Sequence, residues 1–125
     1  MCKGLPASGK STWAASQPNV TIIDSDIIRK DQFGGYTDMY EDLVQQEKIA
    51  RIYRALKCGQ DVISTDPNIS PRHEAALRDV ARRCGADFEI KIFHASVDEC
   101  IKRDKEREKQ VGEAAIRYWD KKWKR

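Results

Sequence analysis

No apolar run in this 125-residue chain approaches the roughly 20 residues that a membrane-spanning helix needs. Cysteine is sparse. Cys2, Cys58, Cys84 and Cys100 lie far apart, with no C-x-x-C pair and no Cys/His cluster, so free thiols are expected rather than a zinc site or a disulfide framework. The two histidines, His73 and His94, have no partner at ligand spacing and read as incidental. Repeats, low-complexity tracts and interdomain linkers are missing, so one compact domain over residues 1–125 is expected. No leader peptide is read near the start, because Lys10 and a glycine-rich loop sit where its apolar segment would be. The expected compartment is the cytoplasm. A large excess of one charge is lacking too, the net value being +3, which is too small to argue for nucleic acid by itself. Its distribution is uneven. Residues 101–125 carry ten Lys/Arg against five Asp/Glu, which leaves residues 1–100 at −2.

What is present is Gly4-Leu5-Pro6-Ala7-Ser8-Gly9-Lys10-Ser11-Thr12, which meets the pattern G-x-x-x-x-G-K-[ST] at every defined position. Gly4 and Gly9 allow the close backbone turns through which successive amides converge on phosphate oxygens. Lys10 is a point charge for the β- and γ-phosphates, and the Ser11 hydroxyl is a ligand for Mg²⁺. A helix beginning at about Lys10 would turn its positive end toward the same anion. The duller alternative is a Gly/Ser turn that happens to precede a lysine. With so many constraints met in order, a nucleoside triphosphate site is the expectation.

Only Met1-Cys2-Lys3 precede the loop, so its leading strand is either unusually short or begins upstream. Residues 19–23, β-branched from Val20 on, run into Asp24-Ser25-Asp26 and read as a second strand delivering acids at its carboxyl end, where open α/β sheets bind ligands. One or two helical turns around Ile27-Ile28-Arg29-Lys30 should follow, capped by Ser25 or Asp26. Apolar residues at three- and four-residue spacing predict a long helix from about Thr37 to Cys58, stopped by Gly59. Residues 61–66 predict a third strand, about 72–84 a helix after Pro67 and Pro71, and the alternating 88–93 a fourth strand. Helices from about Val97 and after Gly112 complete the pattern. Trp119 and Trp123, four apart, suit core packing better than base stacking, although Lys121, Lys122, Lys124 and Arg125 leave nucleic-acid contact open. The fold class is therefore α/β, a three-layer sandwich with a parallel sheet of four or slightly more strands and helices on both faces.

Nucleotide binding leaves a switch or motor, a small-molecule kinase, or a kinase of a larger hydroxyl substrate. No switch loops are visible. Phosphoryl transfer needs a base or orienter for the acceptor hydroxyl, a metal, and a cation at the transferred group. Asp24 and Asp26, Lys10 with Ser11, and the arginines of 101–109 are candidates for these parts. Four blocks together resemble the kinase domain of bacteriophage-type polynucleotide 5′-kinases, which move the γ-phosphate of ATP to the 5′-hydroxyl of DNA or RNA. They are Gly4 to Ala14, Asp26-Ile27-Ile28-Arg29, Val62 to Pro71, and Ile101-Lys102-Arg103-Asp104-Lys105-Glu106-Arg107.

The resemblance implies a P-loop kinase with ATP or another NTP as donor, Mg²⁺, a nucleic-acid 5′-OH end as substrate, no membrane partner, and a role in nucleic-acid repair. It implies Asp26 as general base, Arg29 on the phosphate 3′ of the acceptor nucleoside, and a lid at about 103–112 whose Arg103 and Arg107 meet the phosphates. Gly4, Pro6, Ala7, Ser8, Gly9, Lys10, Ser11 and Thr12 would line the donor phosphates, with Ser11, and Asp66 through water, at the metal. The residues allow duller roles too. Asp26 could be a helix cap, Asp24 reads as structural, Asp66 could cap the helix after Pro67, and Arg103 and Arg107 could be a solvated face. The family's lid has a glycine soon after its second arginine and a Val-Pro pair beyond, where this chain has Glu108-Lys109-Gln110 and Val111-Gly112. No aspartate-based phosphatase motif is present, so the 3′-phosphatase activity fused to some relatives is not expected. The rival expectations are a kinase of a nucleoside, sugar, antibiotic or nucleotide sugar, and a non-catalytic nucleotide-binding module.

Overall fold

A computed structural model describes residues 1–35, 38–68, 70–107 and 110–123. Thr37 at the expected helix start, Ile69 of the third block, Glu108 and Lys109 of the lid, and Lys124 and Arg125 of the basic terminus lie outside the described residues. The elements run β1 (Cys2–Lys3), α1 (Lys10–Ala15), β2 (Val20–Ile23), α2 (Ser25–Phe33), a 3₁₀ turn (Asp38–Tyr40), α3 (Glu41–Lys57), β3 (Asp61–Ser64), α4 (Pro71–Arg83), β4 (Lys91–Ile92), α5 (Val97–Lys105) and α6 (Glu113–Trp123). Strands alternate with helices and pair in parallel, as an α/β fold requires.

The expected four-stranded sheet is replaced, among the described residues, by two parallel pairs, β1 with β4 and β2 with β3. β1 has two residues before the loop begins, and β4, expected over 88–93, spans the two residues that pair with them, Lys91–Ile92. The gap between β1 and β3 is closed by other groups. The Gly4 amide donates to Pro67 O at 3.1 Å, and the buried Asn68 side-chain amide donates to Cys2 O at 2.7 Å.

Two helix starts also differ from expectation. α2 is capped by Asp24, whose carboxylate accepts the Asp26 amide at 2.8 Å, and not by Ser25 or Asp26. The Ser25 hydroxyl is engaged elsewhere, donating to Asp66 at 2.7 Å. The long helix α3 begins at Glu41 after a 3₁₀ turn, where Glu41 and Asp42 complement its dipole. The largest core cluster gathers Ile23, Ile28, Val44, Ile52, Leu77 and Val80 from β2, α2, α3 and α4. A second sets Trp119 and Trp123 against Leu5, Cys100, Ile101 and Ile116, the packing role expected of the two tryptophans. All four cysteines are free thiols.

One step of the buried stripe of α3 is charged. Val44, Lys48, Ile52 and Ala55 form the buried stripe of α3, and Lys48 is 2% exposed. Its ammonium pairs with Asp66 and donates to Asn68 Oδ1 at 3.2 Å. Burial alone would raise the Asp66 carboxyl, but Lys48 and the Ser25 donors hold it below its ordinary value. The contribution of a depressed carboxyl to stability is full above its unfolded value and is lost as the pH falls through its folded one. Lys48→Met, which strands Asp66, should cost about 3 to 5 kcal/mol at pH 7 by urea denaturation. The deficit should shrink below the ordinary carboxyl value of 3.8, where the wild type loses the same contribution. An equal deficit at pH 7 and pH 3 would clear the ion pair as its cause.

Candidate functional site

The loop from Gly4 to Gly9 is shaped by a tight turn and two glycines. The Ser8 amide closes on Leu5 O at 3.2 Å, with Pro6 second in the turn and Ala7 third at φ 63°. That is the arrangement of a type II turn. A Cβ on Gly4 would lie 2.8 Å from Ser8 Oγ and 3.1 Å from Phe93 Cβ, and Gly9 takes φ 105° as it caps α1. Side chains at these positions would push the loop open.

Lys10 starts α1 and is 5% exposed. Its ammonium donates to Gly4 O at 2.9 Å, to Leu5 O, and to Ser8 Oγ at 3.4 Å, so the charge lies in the hollow of its own loop. Burial pulls its pKa down from 10.5 to about 8, against the opposing pull of Cys2, Cys100, Asp66 and Asp24. A cavity of about 680 Å³ opens from this hollow, walled by Ala7 to Trp13, Ser16, Phe93, Arg103 and Arg107. Ser11 and Thr12 are exposed on its wall. Trp13 and Phe93 meet edge to face at 5.9 Å, with Lys91 Nζ 5.0 Å from the Trp13 ring centre.

Arg103 and Arg107 reach the cavity from α5 and its end. Arg103 donates to Glu99 at 2.6 Å and Arg107 to Asp104 at 2.7 Å. Asp104 is 2% exposed and also accepts the amides of Val111 and Gly112, each at 2.9 Å, tying the start of α6 to the end of α5. Burial opposes its ionisation, but Arg107 and the two amides prevail and hold its carboxyl below the ordinary value.

Asp26, Arg29 and Asp66 stand apart from this cavity. Asp26 lies in the first turn of α2, its side chain 75% exposed, and accepts from Arg29 Nη1 one helical turn on. Glu41 takes Arg29 by both Nε at 2.9 Å and Nη2 at 2.6 Å. Asp66 accepts the Ser25 amide at 2.9 Å and its hydroxyl, besides pairing with Lys48. Asp24 accepts from Thr65 Oγ1 at 2.7 Å as well as capping α2, the structural role read for it. Burial, with the Asp66 charge adding to it, raises the Asp24 carboxyl. Asp24 and Asp66 join the ends of β2 and β3, behind Lys10.

Sequence reasoning missed Glu41, Lys48, Asn68 and the structural role of Asp104. Two had a visible signal, since Lys48 and Asp104 are charges at buried steps of apolar helical stripes. Glu41 and Asn68 had none, because Arg29 lies 12 residues from Glu41, and Lys48 and Cys2 lie 20 and 66 residues from Asn68.

A phosphate loop on an α/β frame with arginines leaning over it defines a P-loop domain of the kinase type. Residues 1–125 match the family described as AAA domain, and the chain belongs to that family. Among curated proteins it is similar to one from Autographa californica nuclear polyhedrosis virus named for bifunctional polynucleotide kinase and RNA ligase activity, 25% identical over 119 residues. The match takes in 83% of this chain and 17% of the viral protein. It is also similar to L-seryl-tRNA(Sec) kinase of Methanococcus maripaludis, 25% identical over 122 residues, covering 91% of this chain and 48% of that protein. A chain in the solved structure of the Pnkp1/Rnl/Hen1 RNA repair complex superposes with a TM-score of 0.82 at 28% identity, over 98% of this chain and 42% of that one. The chain thus spans less than half the length of each of these three proteins. A nucleoside triphosphate donor goes with the P-loop kinase type. Among the described residues no helix is long and apolar enough to cross a membrane.

Phosphates entering the loop would displace the carbonyls from Lys10 and restore its charge. At pH 8, where the free group is about half protonated, ATP binding should take up about half a proton. Calorimetry in buffers of different ionisation enthalpy reads this directly. Lys10→Met should abolish the uptake, and uptake persisting in that variant would assign the proton elsewhere.

Proposed function

We propose that this chain is the catalytic domain of a polynucleotide 5′-hydroxyl kinase, transferring the γ-phosphate of ATP to 5′-OH ends of DNA or RNA in nucleic-acid repair. The observation that carries the reading is the Asp26–Arg29 pair, braced by Glu41 and set apart from the donor cavity. A base and a phosphate-binding fork on one helical face suit an acceptor whose hydroxyl sits a fixed distance from a phosphate. The likeness to a chain of an RNA repair complex and to a viral protein named as a polynucleotide kinase supports the same substrate class.

In this reading Asp26 takes the proton of the 5′-hydroxyl. Its Oδ2 accepts no hydrogen bond among the described residues, leaving an oxygen for that task. The hydroxyl oxygen bonds to Pγ as the Pγ–O bond to ADP breaks, and Asp26 later returns the proton to water. Lys10 and Arg107 balance charge on the phosphates, with Arg103 beside them, and Arg29 orients the acceptor. The donor set suits a metal held chiefly by phosphates, because the Ser11 hydroxyl is on the cavity wall and Asp66 is already engaged by Lys48 and Ser25. Ser11 would hold Mg²⁺, and the ion would supply neutralisation of the β- and γ-phosphates, while Asp66, off the cavity wall with both oxygens engaged, is committed to the fold.

The archaeal relative, named as a kinase of an RNA-borne serine and also 25% identical, favours a second reading, a kinase of another hydroxyl. Two variants separate them. Asp26→Asn should leave ATP affinity nearly unchanged by calorimetry while single-turnover transfer falls by about 10² or more. Equal loss of both would make Asp26 a structural residue. Arg29→Ala should fall about 30- to 150-fold on a nucleoside 3′-monophosphate, and far less on the bare nucleoside. Equal impairment on both acceptors would move the weight to the second reading.

A further inference from the structure

A second cavity, of about 660 Å³, opens between α3 and α4, and nothing in the reading above uses it. Topology places it on the ligand side of the fold. It is walled by the first half of α3, from Glu41 to Ile49, and the first half of α4, from Arg72 to Leu77. α4 follows the carboxyl end of β3, and α3 leads back to the amino end of that strand, so both helix starts lie at the edge where Asp24 and Asp66 stand. The cavity is also continuous with the acceptor residues. Glu41, which grips Arg29, lies on its wall, and so does Lys48, which grips Asp66.

Its chemistry is selective. Glu41 and Lys48 are each neutralised by their partners, so the uncommitted charges are Asp42 and Arg72. Arg72 is exposed and makes no ion pair among the described residues. Gln45 and Gln46 face the same space with no hydrogen bond among the described residues, and Ile49, Ala76 and Leu77 give an apolar floor. A polyphosphate would meet Asp42 with too little positive charge to hold it. A nucleotide with one phosphodiester charge matches one guanidinium, and a neutral base matches amides over an apolar floor. The volume lies in the range of about 300 to 1,000 Å³ typical of small-ligand sites. His73 is half-buried at the same opening.

Resting on the polynucleotide kinase reading, we propose that the cleft between α3 and α4 seats the second nucleotide of the acceptor strand. Arg72 takes the phosphate 3′ of it, while Gln45 and Gln46 hydrogen-bond its base. Arg29 and Arg72 then hold successive phosphates of one single strand, and the preferred acceptor is an oligonucleotide of at least two residues.

The test compares 5′-OH acceptors of one, two and three nucleotides, each with a 3′-phosphate, by kcat/KM and by calorimetric affinity. The dinucleotide should exceed the mononucleotide by about tenfold in both, with little further gain from the third. Arg72→Ala should remove most of that ratio, Arg72→Lys should restore part, and Gln45→Ala with Gln46→Ala should reduce it. Arg82→Ala, which removes an exposed charge from the far end of α4, should leave the ratio unchanged. Equal values for one and two nucleotides in the wild type would overturn the proposal, as would an Arg82→Ala effect equal to that of Arg72→Ala. The binding arm distinguishes this failure from failure of the parent reading. Absence of transfer to every acceptor, with length-dependent and Arg72-dependent binding retained, would remove the kinase assignment and leave the cleft standing.

Discussion

The buried ion pair between Lys48 and Asp66 is the contact on which the rest of the arrangement depends. Through it the middle of α3 is fastened to the end of β3, and through the two Ser25 donors the end of β3 is fastened to the start of α2. Asn68 carries the link to β1 by accepting from Lys48 and donating to Cys2 O. Replacing a buried pair by apolar residues of like volume is often neutral or stabilising, so the pair need not be there for stability. What it adds is position. It holds the starts of α2 and α3 at one edge, so Asp26, Arg29 and Glu41 are fixed relative to the phosphate loop.

The charges around Arg29 follow from that placement. Asp26 and Glu41 both pair with the guanidinium. Their pull raises the Arg29 pKa, the hydrogen bonds it donates to Glu41 coming first among the causes. In the proposed reading, a phosphate arriving at Arg29 would compete with Asp26 for Nη1, while Glu41 holds the fork by Nε and Nη2. Such an exchange would release Asp26 from its guanidinium partner as the acceptor docks.

Much of this was legible in the residues because the information was local. The loop from Gly4 to Thr12 is specified by its own glycines and lysine, and α1 begins at Lys10 as the pattern implied. The arginines at 103 and 107 are four apart, so one helix end carries both to the cavity. The rest depended on distant pairs. Asp24 rather than Ser25 caps α2 because Asp66, 41 residues away, claims the Ser25 hydroxyl. The strand at 88–93 read as a full element from its alternation, yet a strand is as long as the partner that pairs with it, and β1 offers two residues.

The lid shows how a local departure can be absorbed. Val111-Gly112 stands where the resembling family has a Val-Pro pair, and proline would lack the amide that Gly112 donates to Asp104 Oδ2 at 2.9 Å. Val111 donates to Oδ1 of the same carboxylate, which also receives Arg107. The loop end and the arginine thus share one buried anion. Moving either changes the charge balance felt by the other, because a carboxylate that is 2% exposed has little water to compensate a lost donor. Arg107 is therefore linked to the fold of the α5–α6 connection, and its reach toward a phosphate is bounded by the backbone that Asp104 holds in place.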